Sequence, residues 1–180
     1  MFDAICQFEE DILLFIQEYI RCDALTPIMK FFSLICEYGI IWIIIGLVMF
    51  SFRDSRKTGV MIFTALILSL IINNLILKNV VARTRPFDVI EGLTAIITKP
   101  TDFSFPSGHT GVSFSAAFVI IRSRPPRYWI PALMVAVITA FSRLYLGVHY
   151  PGDVAAGVLI GYFIALISDY IVSACLKHNV

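Results

Sequence analysis

Three stretches of this chain carry residues able to do chemistry inside an otherwise oily sequence. SRLYLGVHYPGD (residues 142–153) holds Arg143, His149 and Asp153, KNVVARTRP (78–86) holds Lys78 and Arg85, and FPSGHT (105–110) holds Ser107, Gly108 and His109. Lys78, Arg85 and Arg143, brought together, repel one another unless an anion sits among them. Arginine offers a planar fork that matches phosphate oxygens, and lysine adds a point charge. Ser107 and Gly108 are expected to open a helix, where backbone N–H groups and the helix dipole favour an anion. Gly108 also lets the backbone approach closely. Together these residues describe a phosphate cradle. Two histidines flank it: a neutral imidazole can attack phosphorus, and a protonated one can pass a proton to a leaving oxygen. Asp153 follows His149 by one helical turn, where a carboxylate can keep one ring nitrogen protonated and the other free. Pro151 suits the first turn of the helix that would carry Asp153. No second carboxylate stands near enough in sequence for a metal pair, so neither metal nor cofactor is expected and the cations must offset phosphoryl charge.

These side chains need elements to position them, and the elements must be membrane helices. The chain has 180 residues, 58% hydrophobic and 15% charged, with a mean hydropathy of +0.84. That is too apolar for a soluble domain of this size. A net charge of +1 gives no bulk field for nucleic acid. One domain, residues 1–180, is expected. Five stretches approach the roughly 20 residues that cross a bilayer: 26–52, 58–77, 107–121, 128–146 and 152–176, the third of them short. Ahead of them, Ile5, Phe8, Ile12, Phe15, Ile16 and Tyr19 recur at helical spacing among Glu9, Glu10, Gln17 and Glu18. That pattern is an amphipathic helix on the membrane surface or a sixth, polar span inside the bundle. The acidic N-terminal sequence is not that of a cleavable targeting segment.

This span order carries the three motifs to one membrane face. The basic loops RDSRK (53–57) and RSRPPR (122–127) fall on the other face, which the positive-inside rule makes cytoplasmic. The motif face is rich in acids, including Asp3, Glu9, Asp88, Glu91 and Asp102.

The motifs, Lys78 to Pro86, Pro106 to His109 and Ser142 to Asp153, resemble in order the signature of the type 2 phosphatidic acid phosphatase superfamily. The resemblance implies an all-α, six-helix membrane bundle and a metal-independent phosphatase that works through a phosphohistidine. It implies that His149 is the nucleophile, that Asp153 orients it and that His109 is the general acid. It further implies that Lys78, Arg85, Ser107, Gly108 and Arg143 bind phosphate. The substrate would be a lipid phosphate or diphosphate in the bilayer. Among small members of the family a polyprenyl diphosphate such as undecaprenyl diphosphate comes first, its dephosphorylation recycling the carrier for cell-wall synthesis. The alternative is phosphatidate or phosphatidylglycerophosphate.

Other readings remain beside these. A catalytically silent lipid binder would not need His109, His149 and Asp153 together, and a transporter would hold its charges near the bilayer midplane. Arg83 and Lys99 are either contacts to a second phosphate or headgroup, or plain surface charge. Asn73 and Asn74 are expected to hydrogen-bond between helices, Trp42 to pack, and Tyr128 and Trp129 to anchor at the interface. Phe103 and Phe105 either line a groove for the lipid tail or simply pack. Cys6, Cys22, Cys36 and Cys175 have no metal or redox spacing. His178 is read as an uninvolved tail residue.

Overall fold

The computed structural model describes residues 2–177; His178 lies outside the described residues, as does the side chain of Asp3. All regular structure among the described residues is helical. α1 (Phe2–Phe15) ends in a π turn, Ile16–Ile20, and is followed by α2 (Thr26–Ile35), a 3-10 turn (Glu37–Gly39) and α3 (Ile40–Ser51). α4 (Arg56–Ser69) continues through a π-helical stretch, Leu70–Leu77, into the short α5 (Lys78–Val81) and then α6 (Pro86–Val89). An irregular strap, residues 90–107, leads to α7 (Gly108–Ser123), α8 (Pro126–Tyr145) and α9 (Pro151–Lys177).

Among the described residues three helical segments are long and apolar enough to cross a membrane: Arg56–Val89, Pro126–Tyr145 and Pro151–Lys177. The stretch expected as one span, 26–52, is instead two helices bent by 48°, long and apolar enough to cross only when taken together. The cause is local. Tyr38 and Gly39 have φ of 52° and 74°, a left-handed pair that no continuous helix accommodates. α7 has 16 residues, ended by the prolines at 125 and 126, and falls below the length of a full span. It is instead the central helix of the bundle, buried on most of its length against α4, α8 and α9. α1 has 14 residues and runs on through the π turn to Ile20; it is not among the helices long and apolar enough to cross a membrane. Its apolar positions divide between two faces: Leu13 and Ile16 pack inward with Glu9, whereas Ile5, Phe8, Phe15 and Tyr19 stay exposed.

Close packing of α7 on α9 holds the site end together. A side chain at Gly157 would meet Ser107 O and Thr110 Cβ at 3.0 Å, and one at Gly161 would meet Ser115 N at 2.9 Å. Small residues at such crossings let helix backbones approach in lipid, where van der Waals contact replaces the hydrophobic drive. Trp42 is fully buried and its Nε1 donates to Ser113 Oγ at 3.0 Å, tying α3 to α7. The wide π turn points Asn73 into the core against Gly111 and Asn74 toward Gly108. The side chain of Asn73 is buried without a hydrogen-bond partner, so it does not make the interhelical bond expected of it. Cys36 alone of the four thiols is buried, 3.0 Å from Thr139 Oγ1.

Candidate active site

Lys78 begins α5, one helical turn beyond Asn74, so the π segment sets its direction. Arg85 precedes Pro86 at the start of α6, in extended backbone. Arg143 lies in the last turn of α8. The chain then reverses through a tight turn. Leu146, Gly147 and Val148 donate their N–H groups back to Ser142, Leu144 and Arg143 carbonyls at 2.8, 2.9 and 3.2 Å. Gly147 takes φ of 73° there, where a side chain would also meet Thr94 O. This turn delivers His149 to the mouth of α9.

His109, His149, Lys78, Arg85, Arg143 and Gly108 all line one cavity of about 1650 Å³. Five of the expected phosphate and catalytic side chains therefore meet, together with Gly108 at the head of α7. Ser107 and Asp153 stand behind this layer. The Ser107 N–H donates to Asp153 O at 3.1 Å and its Oγ accepts from Thr110 Oγ1 at 2.9 Å. These bonds knit the starts of α7 and α9, and they leave Gly108 as the nearer member of the pair to the cavity.

Asp153 is fully buried, with its Oδ2 3.5 Å from His149 Nδ1. That ring nitrogen has no closer partner, and the second nitrogen, Nε2, lies 3.4 Å from Arg85 Nη1. Asp153 itself is held tightly. It accepts from the Tyr150 N–H at 2.9 Å, from Ser104 Oγ and from Arg83 Nη1 at 2.9 Å. Arg83 also pairs with Glu9 and lies 3.7 Å over the Tyr150 ring. Glu9, buried on α1, accepts the Gly152 N–H at 2.7 Å. Arg83 is thus a strut between α1 and Asp153 and is not among the residues that line the cavity. Ser104, Arg83 and Glu9 carry no motif signal, and their bonds to the α9 turn span 49 to 143 positions of sequence.

His149 lies between helices α8 and α9. Its burial first, and then the Arg143 and Arg85 charges, push its pKa down to about 3 against the opposing pull of Asp153. The imidazole is therefore neutral at ordinary pH, the form that can attack an electrophile.

An anion for two of the three cations is present. Asp102, from the strap, pairs with Lys78 through Oδ2 and with Arg85 Nη2 through Oδ1 at 2.6 Å. Burial alone would raise its pKa, but the two cations hold it down at about 2. Arg85 Nε also donates to Asp102 O at 2.8 Å, and Nη1 donates to Val148 O at 2.7 Å. Among the described residues no group of three or more His, Cys, Asp or Glu is placed to hold a metal ion.

Beyond the polar end, the cavity wall is apolar: Leu34, Ile43, Leu66, Ile67, Leu70 and Val112 from α2, α3, α4, the π segment and α7. Phe103 and Phe105 are not on this wall. Lys30 and Lys99 stand on its lining, Lys99 3.9 Å from Asp88 and 4.9 Å over the Phe87 ring.

A membrane helix bundle with histidines and cations converging on one cavity is an arrangement suited to binding and cleaving a phosphate ester, and comparison with known proteins gives its class, that of membrane phosphatases. The profile of the PAP2 superfamily matches residues 58–177. The chain is 32% identical over 157 residues to an undecaprenyl-diphosphatase of Sulfolobus acidocaldarius, covering 86% of this chain and 74% of that one. It is 32% identical over 152 residues to undecaprenyl-diphosphatase BcrC of Bacillus subtilis, covering 81% and 76%. The crystal structure of a PAP2-type phosphatidylglycerolphosphate phosphatase from Bacillus subtilis superimposes with a TM-score of 0.75 at 24% identity, covering 93% of this chain and 86% of that one. The chain belongs to the PAP2 superfamily: it is a multi-pass, all-α membrane phosphatase.

Proposed function

We propose that the protein removes the terminal phosphate of a polyprenyl diphosphate, of which undecaprenyl diphosphate is the type, without a metal ion and through a phosphohistidine on His149. The observation that carries this reading is one cavity with Lys78, Arg85, Arg143 and both histidines at its polar end and a long apolar wall between helices. A phosphoryl head and an isoprenoid tail fit those two halves. Relatives at 32% identity along most of the chain carry the name undecaprenyl-diphosphatase.

Lys78, Arg85, Arg143 and the start of α7 at Gly108 hold the phosphoryl oxygens, while Ser107, whose N–H is taken by Asp153 O, fixes that helix start from behind. With Nδ1 kept protonated toward Asp153, Nε2 of His149 carries the lone pair that attacks the terminal phosphorus. The bond to the bridging oxygen breaks, and protonated His109 gives its proton to that oxygen as polyprenyl monophosphate departs. Neutral His109 then takes a proton from water, which attacks the phosphohistidine, releasing inorganic phosphate and freeing His149. The cations stabilise the charge spread over the phosphoryl oxygens in both steps.

The test is phosphate release by purified protein in detergent from undecaprenyl diphosphate, phosphatidate and phosphatidylglycerophosphate, with and without excess EDTA and with orthovanadate. The diphosphate is expected to turn over fastest, EDTA to have no effect, and vanadate to inhibit as a five-coordinate phosphoryl analogue. Faster turnover of either monoester transfers the assignment to that lipid. Absence of all turnover returns the chain to a silent lipid binder.

The site is proposed to face away from the cytoplasm. Arg56 and Lys78 are at opposite ends of the continuous helix formed by α4 and the π segment. The two basic loops meet at the Arg56 end, where Arg124 reaches Asp54 O and Arg122 pairs with Asp169 at 3.0 Å. In a background lacking the four native cysteines, Asp88→Cys should react in intact cells with a membrane-impermeant thiol reagent and Asp54→Cys should not. The reverse labelling would place the site in the cytoplasm.

A further inference from the structure

Resting on the reading of Lys78 and Arg85 as phosphate ligands, we propose that Asp102 is a specificity-determining residue. Its carboxylate fills the phosphate site of the free enzyme and must be displaced. The site therefore admits doubly charged terminal phosphoryl groups and refuses the singly charged phosphodiesters of bulk phospholipid.

The geometry is that of a tethered competitor. Two carboxylate oxygens occupy Lys78 Nζ and Arg85 Nη2, as two phosphoryl oxygens would. The adjacent guanidinium nitrogen, Nη1, is the one 3.4 Å from His149 Nε2, so the carboxylate sits beside the position a reacting phosphorus must take. The cations are fixed and the anion is the removable part. The side chains of Lys78 and Arg85 are 8% and 4% exposed, against 52% for Asp102. The strap is anchored by the Ile96 N–H to Leu146 O at 3.3 Å, the Ser104 N–H to Arg83 O at 2.8 Å and Arg85 Nε to Asp102 O at 2.8 Å. The main chain at Asp102 is thus held, and its half-exposed side chain can turn outward without unpicking a helix.

A second observation shows what the carboxylate does not satisfy. Arg143 lines the same cavity, and its Nε is buried with no hydrogen-bond partner. Asp102 has only two oxygens and one charge. A terminal phosphoryl group has three oxygens and up to two charges, so it can hold Lys78 and Arg85 as Asp102 does and still supply an acceptor to Arg143. A phosphodiester has two free oxygens and one charge, and gains nothing by exchange. The short tether gives the carboxylate an effective concentration on the order of millimolar or more, which suppresses such equal competitors.

The experiment compares wild type with Asp102→Asn, Asp102→Ala and Asp102→Glu in detergent. Calorimetry reads the binding of inorganic phosphate and orthovanadate, and turnover of the preferred lipid is measured with phosphatidylglycerol at rising surface fraction. The Asn and Ala variants should bind both anions roughly tenfold tighter, as removal of a tethered competitor requires, and should become inhibited by phosphatidylglycerol. The Glu variant should resemble wild type. Unchanged or weaker anion binding in the Asn and Ala variants overturns the proposal. Should those variants fail to fold, a nitroxide at Thr101→Cys in otherwise wild-type protein must gain mobility when vanadate binds, and no gain overturns it equally. Tighter anion binding without turnover of any lipid phosphate would retain this inference and remove the proposed function. Turnover with unchanged anion binding would do the opposite.

Discussion

His149→Ala is expected to lower turnover by roughly 10⁴-fold or more, the scale on which a lost nucleophile acts. On the proposed mechanism no other side chain reaches the phosphorus from the same place, since His149 is carried there by the turn at Gly147 and enclosed by Arg85, Arg143 and Asp153. Rapid quenching during turnover of a labelled diphosphate should trap an acid-labile, base-stable phosphoenzyme in wild type and none in the variant. A phosphoenzyme on any other residue would sink the assignment. The pH dependence follows from the depressed pKa. A base held at about 3 is protonated only below that value, so His149 remains neutral as pH falls from 8 to 5. Its ring ¹⁵N shifts, assigned by comparison with the variant, should stay those of neutral imidazole at pH 5. A protonated ring there would contradict the charge balance around it. Any loss of rate between pH 5 and 7 then belongs to His109, which must cycle between its protonated and neutral forms, or to ionisation of the substrate phosphate, which titrates near 6 in a monoester, and not to His149.

Asp153→Asn is expected to cost roughly 10³- to 10⁴-fold in kcat with little change in KM, as for an orienting carboxylate beside a catalytic histidine. The carboxylate accepts from Ser104, the Tyr150 N–H and Arg83 while facing His149 Nδ1. An amide has only one acceptor oxygen for these donors. Wherever its NH₂ points, it opposes either another donor or the imidazole N–H. Turned to the ring, it would favour the tautomer whose Nε2 is protonated and cannot attack. Glu9→Gln tests the same chain from further out: a smaller loss, roughly tenfold, again in kcat, because Arg83 keeps its bond to Asp153 while its other carboxylate partner is lost. Kinetics on folded protein, checked by thermal melting in detergent, decide both cases. An Asp153→Asn enzyme within threefold of wild type would remove the orienting role, and a Glu9→Gln effect confined to KM would remove the relay from α1.

Sequence alone determined the membrane class, the helical fold and the convergence of Lys78, Arg85, Gly108, His109, Arg143 and His149. The physical reason is local. Apolar runs of bilayer length must be helices because only helices satisfy their own backbone polar groups in lipid, and alternating spans return motifs to one face whatever the details of packing. The same local logic found the need for an anion among three cations. It did not find which anion, nor the broken first span. The break at Tyr38 and Gly39 is a backbone choice that hydropathy does not register, and α7 reaches the core at a length below that of a span. Tertiary structure alone decided the partners of the motif residues. Asp102 comes from an irregular strap, 24 positions from Lys78, and Glu9 from a helix 143 positions before Gly152. Neither has a periodicity or motif to mark it, and both were legible only as members of an acid-rich face. Ser107 was placed at a helix start by its sequence, but its N–H turns to Asp153 O because Gly157 and Gly161 let α9 approach α7 so closely. Such pairings depend on how strap and helices pack in three dimensions, and a carboxylate in a loop acquires its role only when packing brings a cation to it.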